Sequence, residues 1–241
     1  MNDSLAFEQN VVDERVQELF RVGMHFGYAK TRRHPRMRQY IAGVKSNIEI
    51  FNAEKIWECF NVALEFLESV GKEGGMVLWV GTKPASSGVI RLVAEELGHP
   101  YVNSRWIGGT LTNYKIIRER INYWQDLIAK KKSGELLKYT KQEQLRINHE
   151  IEKLTRDLQG IFPLSSLPKA LFVIDAGEEE IAIREAHMKN ISVVALLNSD
   201  CDPKKVSYPI PGNDNASKSI SFVTSKAKEA YLKGKAMHVS N

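Results

Sequence analysis

At 241 residues the chain is long enough to bury one substantial core, or a core with an appended subdomain. Its 43% hydrophobic and 26% charged content is ordinary for a globular protein, and a pI near 9.1 with net charge +5 points only weakly to an anionic partner. No apolar run is long enough to span a bilayer, and two cysteines, Cys59 and Cys201, make neither a disulfide framework nor a CxxC metal site, which leaves buried thiols in a reducing compartment.

The opening, MNDSLAFEQNVVDERV, is acidic and has no apolar h-region, so it is expected to be neither a secretory signal nor an Arg-rich transit peptide. The next segment is its opposite. From Arg21 to Lys45 there are seven Lys or Arg residues and no Asp or Glu, with Phe26, Tyr28, Tyr40, His25 and His34 among them. Arg32, Arg33, Arg36 and Arg38 flank His34–Pro35, and the proline predicts an irregular loop. Like charges crowded on a loop repel unless something anionic neutralises them, whether a membrane surface, an acidic protein or a nucleic acid. The missing apolar face argues against the membrane.

YIAG and IEIF then read as a hairpin, followed by a helix with Ile56, Phe60, Ala63, Leu67 and Val70 at helical spacing. GGMVLWVGTK is a buried strand that leads into the helix ASSGVIRLVAEELG, and PYVN is a short strand. KALFVIDAG leads into the helix EEEIAIREAHMKN, and ISVVALLNS into DCDPKK. A last helix is expected from near Asp214, capped by GNDNAS, to about Lys233. Apolar strands alternating with amphipathic helices predict an α/β fold with a parallel sheet covered on both faces.

Residues 113–160 break this alternation. Two long charged stretches around Ser133–Gly134 carry apolar residues at heptad-like spacing: Ile117, Ile121, Trp124, Leu127 and Ile128, then Leu145, Ile147, Ile151, Leu154 and Leu158. They predict an antiparallel helical hairpin, with two further surface helices as the plainer alternative. The expected organisation is an α/β domain at 1–112 and 161–241 with a coiled-coil hairpin inserted at 113–160.

Three groups of residues could carry chemistry. VGTKPASSG sits where phosphate loops sit but matches neither GxGxxG nor GxxxxGK[ST], so an ordinary turn explains it more cheaply. Asp175, Asp200 and Asp202, with Asp214, could hold a divalent cation near the strand ends, although turn formation and capping explain them too. Six scattered histidines, no HExxH and no GxSxG leave an enzyme without a mechanism. NSRWIGGTLTNYKIIRER is more pointed: Arg105 and Trp106, then Gly108–Gly109, then a helix opening with Lys115 and Arg118. These are parts used in RNA contact, and equally the parts of a tight hinge with a basic helix.

GMHFGYAKTRRHPRMRQYI, VGTK, YVNSRWIGGTLTNYKIIRERI, LPKALFVID, IAIREA and CDP…PIPGND resemble, in order and spacing, the small-subunit ribosomal protein S-two family of bacterial and organellar type, over roughly residues 15–233. The resemblance implies a Rossmann-like, flavodoxin-like α/β domain with a protruding coiled coil, no catalysis and no cofactor. It implies binding to small-subunit ribosomal RNA, support of subunit assembly and translation, and docking of ribosomal protein S-one in many bacteria. The RNA-contact residues it suggests are Lys30, Arg32, Arg33, His34, Arg36, Arg38, Arg105, Trp106, Thr110, Asn113, Lys115 and Arg118. The place implied is the cytoplasmic ribosome of a bacterium, with an organellar ribosome as the alternative. Tyr28 stands where the family usually has His, Arg33–His34 where it has Trp-Asn, and Asn198–Ser199–Asp200 where it has Asp-Thr-Asn. Those departures weaken the expectation, held for some relatives, of a divalent ion near Asp200 and Asp202. The rival from another class is a nucleotide-dependent enzyme working at Gly81, Asp175 and Asp200.

Overall fold

The computed structural model describes residues 14–239, so most of the acidic opening lies outside the described residues. The chain is helical at 14–21 (α1) and then forms β1 (Phe26–Ala29). The predicted hairpin is present as β2 (Ile41–Lys45) and β3 (Ile48–Phe51), and its turn is tighter than expected. Ser46 and Asn47 both take positive φ, 51° and 65°, the conformation of a two-residue turn matched to strand twist. β3 pairs antiparallel with both neighbours, giving a small sheet ordered β1-β3-β2.

The main sheet is built from β4 (Val77–Val80), β5 (Tyr101–Val102), β6 (Ala170–Ile174), β7 (Ser192–Leu197) and β8 (Tyr208–Pro211). All neighbours are parallel and the spatial order is β5-β4-β6-β7-β8. In order of appearance this is 2-1-3-4-5, the flavodoxin-like doubly wound arrangement, so the expected fold class is present. Every residue of β4 and β6 is buried, as a sheet covered on both faces requires. β8 has no counterpart in the sequence reading because YPIP carries two prolines. Its place at the sheet edge explains how a strand that cannot donate two of its amides is tolerated.

The flanking helices are α2 (Ala53–Lys72), α3 (Pro84–Leu97), α6 (Glu180–Met188) and α7 (Ser217–Val239). All five apolar residues predicted for α2 are buried. α2 and α7 pack so closely that a Cβ on Gly71 would strike the Tyr231 carbonyl, and one on Gly234 the Glu68 carbonyl. α7 starts later and runs further than predicted. Asn213 Oδ1 accepts from the amides of Asn215 and Ala216 at 3.0 and 3.2 Å, an Asx turn that occupies the stretch expected to open the helix.

Within residues 113–160 lie α4 (Tyr114–Lys132) and α5 (Lys141–Leu158). Trp124 Nε1 donates to Thr155 Oγ1 at 2.9 Å, and along α4 Ile117 and Ile121 share a cluster with Leu158 while Leu127 shares one with Ile151, so the helices run antiparallel. The connection is longer than a Ser133–Gly134 turn: it includes a 3-10 turn at Glu135–Lys138, and α5 opens with a Thr140/Glu143 capping box. Ile117, Ile121, Trp124 and Leu158 belong to the main core. Leu127, Leu136 and Ile151 form a separate small cluster further out. Leu145, placed on the seam by its spacing, is instead 58% exposed, and Leu136 from the connection fills the seam's end.

Candidate nucleic-acid interface

The basic window is more ordered than a proline between arginines suggests. Lys30–Arg32 and Pro35–Tyr40 are 3-10 turns, and the His34 ring nitrogen Nδ1 accepts from the Arg36 amide at 3.3 Å to cap the second. The window is held on the loop that follows β7. The His34 amide donates to Ser199 O at 2.8 Å, the Tyr28 amide to Ser199 Oγ at 3.0 Å, and Arg36 Nη1 lies 2.6 Å from Asp202 Oδ2. Arg33 Nη1 lies 3.0 Å from Glu49 Oε1, whose side chain is fully buried. Arg32 stacks over the Tyr28 ring at 5.4 Å. Lys30 and Arg38 are exposed and make no ion pair among the described residues.

The carboxyl ends of β4 and β6 mark the point where strand order reverses, which is where open α/β sheets bind ligands. Here the chain's own groups fill that place. Lys83 pairs with Asp175, and Thr82 gives its amide and hydroxyl to Glu179 Oε1 at 2.9 and 2.6 Å. Asp175, at φ 69°, also accepts from the Gly177 and Glu178 amides. Asp214 is fully buried; Oδ1 accepts from Asn198 at 2.8 Å and Asn215 at 2.9 Å, and Asn215 also donates to the Tyr28 hydroxyl at 2.7 Å. Burial, with the nearby Asp175 charge, pushes the Asp214 carboxyl up to about 7. Tyr28, the departure from the family's histidine, is thus a link between the basic window and this network. Asp202 is engaged by Arg36 and the Lys204 amide, and Asp200 contacts the Cys201 thiol. Among the described residues no group of three His, Cys, Asp or Glu side chains converges as a metal site.

The RWIGGTLTN stretch follows β5 and corrects two expectations. Trp106 and Thr110 are 8% and 1% exposed, so neither offers a face to RNA. The Trp106 indole donates to Glu185 Oε1 at 3.0 Å, and the Thr110 hydroxyl donates back to Ile107 O at 2.6 Å. Glu185 also accepts from the amides of Gly109, Leu111 and Thr112 and from the Thr112 hydroxyl, at 2.7 to 3.1 Å. Burial alone would raise this carboxyl, but the indole and the three amides outweigh it and hold it below its usual range. Arg118 is committed to the hairpin root, donating to Leu164 O at 3.3 Å. Arg105, Asn113 and Lys115 remain exposed. Arg105 and Trp106 edge a cleft of about 330 Å³ whose far wall includes Arg120, Glu150, Lys153 and Asp157, nearly balanced in charge.

The buried acids Glu49 and Glu185 were missed by the sequence reading. Glu185 had a visible signal: it lies on the helix face of Ala182, Ile183 and Ala186, all buried. Glu49 had only a weak one, since strand alternation places it on the same face as Phe51.

A family model described as ribosomal protein S2 matches residues 19–234. The chain is 41% identical over 220 residues to the small ribosomal subunit protein uS2 of Coprothermobacter proteolyticus, an alignment covering 91% of this chain and 82% of the relative. It is 40% identical over 224 residues to uS2 of Thermus thermophilus, covering 93% and 88%. For uS2 of Acinetobacter baylyi the figures are 41% over 220 residues, covering 91% and 88%. With a matching model over most of its length and relatives at this identity, the chain belongs to the ribosomal protein S2 family, in its bacterial form.

Proposed function

We propose that this small-subunit ribosomal protein binds ribosomal RNA through the carboxyl edge of its parallel sheet. The window at 30–38 and the loop at 103–115 both gather there, one docked on the loop after β7 and the other following β5. Three strand spacings separate them, about 15 Å. The observation that carries the reading is that exposed Lys30, Arg38, Arg105 and Lys115 lack acidic partners among the described residues, while the loops that bear them are pinned by protein contacts. Unpaired cations on a preset backbone suit phosphates, and each phosphate pairing releases counterions. His34 and Arg36 serve partly to hold the window, and Trp106 and Thr110 serve inside the fold. The reading places the chain on the ribosome in the bacterial cytoplasm, next to other small-subunit proteins, with ribosomal protein S-one as a candidate partner.

The test is incorporation of the Lys30→Ala/Arg38→Ala/Arg105→Ala/Lys115→Ala chain into small subunits, followed by sedimentation. It is expected to keep a wild-type circular dichroism spectrum and to fail to co-migrate; normal co-migration would sink the reading. Arg33 is left intact because removing it would strand the buried Glu49 charge and confound binding with folding. The nucleotide-enzyme alternative has little support, since Lys83, Thr82 and Asp175 are engaged with one another or with Glu179.

A further inference from the structure

The loop 106–112 aims five donors at one point: the Trp106 indole, the Gly109, Leu111 and Thr112 amides, and the Thr112 hydroxyl. Successive backbone N–H groups converging on an anion form a nest, the device by which many proteins cradle phosphate. Here the anion comes from the chain itself. Glu185, 6% exposed, projects from α6 and takes all five bonds, two on Oε1 and three on Oε2. A Gly-Gly loop that looks built for RNA phosphate is therefore closed to it.

We infer that Glu185 is a positioning residue for RNA binding: it sets the loop that presents Arg105, Asn113 and Lys115. This rests on the proposed RNA-binding function. Arg105 immediately precedes the first donor, Asn113 immediately follows the last, and Asn113 is the N-cap of α4, which carries Lys115. Ser104, beside Arg105, donates to Arg156 O on α5 at 3.3 Å. One carboxylate thus ties α6 to the loop from which both the cations and the hairpin depart. Gly109 adopts φ 92°, a conformation that favours glycine, so the loop's shape depends on that residue as well as on the carboxylate. Fixing the cations before binding lowers the ordering penalty of association.

The experiment measures affinity of the full chain for small subunits depleted of it, as a function of salt. A purely structural role for Glu185 would lower thermal stability and leave the slope of log affinity against log salt unchanged, because the folded molecules would still make every phosphate contact. Positioning predicts a smaller slope. Loss of the Arg105 and Lys115 contacts should reduce it by about 1 to 2, at roughly 0.7 to 0.9 per phosphate. Glu185→Gln retains one acceptor oxygen and nearly the same shape, and is measured well below its melting temperature; Glu185→Ala should show the same loss or a larger one. An unchanged slope in a folded Glu185→Gln chain overturns the inference. Adding Glu185→Gln to Arg105→Ala/Lys115→Ala should change the slope no further, and an additional loss would also overturn it. A wild-type chain whose binding does not depend on salt would instead defeat the RNA reading itself.

Discussion

At the residue scale, charge in this protein is divided between holding and presenting. Arg33, Arg36 and Lys83 are committed to Glu49, Asp202 and Asp175, while Lys30 and Arg38 face outward without an ion pair among the described residues. Counting arginines in the window therefore overstates its free charge, and only the fold shows which are spent. Asp214 makes this network sensitive to pH. Its carboxyl titrates near 3.8 when unfolded and at about 7 when folded, so the native state holds the proton more tightly. Its contribution to stability is full below about pH 4 and is lost as pH rises towards 7. Asp214→Asn should flatten that fall: between pH 5 and pH 8 the variant gains stability relative to wild type, by a few kcal/mol at most. Urea unfolding at the two pH values checks this, and a stability difference independent of pH would contradict it.

At the scale of elements, the main sheet and the helical hairpin are stabilised differently. Four-residue β4 and five-residue β6 are wholly buried, and so were legible as apolar runs. β8 was not, because an edge strand with two prolines does not resemble a strand by composition. The hairpin's inner half shares the main core through Ile117, Ile121 and Leu158, whereas its outer half relies on Leu127, Leu136 and Ile151. Heptad spacing identified most of that seam but misplaced Leu145, since it could not reveal that the connection folds Leu136 inward. Ile151→Ala should destabilise the outer half by about 2 kcal/mol, the low end for a large aliphatic truncation. Hydrogen exchange should quicken in the outer turns of α4 and α5 and stay unchanged in β4 and β6. Equal acceleration in the sheet would mean the two clusters unfold as one.

At the scale of the whole molecule, the doubly wound sheet brings its loops to one edge, and the usual ligand place between β4 and β6 is occupied by Lys83, Asp175 and the Asp214 network. What remains at that edge is a rim of cations on braced loops, suited to a large polyanion more than to a small ligand. The fold class and both basic segments could be read from the sequence because strand hydrophobicity and local charge are properties of contiguous residues. The bracing could not, because Ser199 and Glu185 reach their partners across long stretches of chain, and Glu49 meets Arg33 only once β3 has folded back against β1. The central claim is that this rim lies on RNA. A hydroxyl-radical probe tethered at Arg38→Cys or Arg105→Cys, with Cys59 and Cys201 replaced by Ser, tests it in reconstituted small subunits. Cleavage of the ribosomal RNA backbone from both positions is the predicted result. A chain that co-migrates with the subunit while neither probe cuts RNA would show that proteins hold it there, contradicting the account.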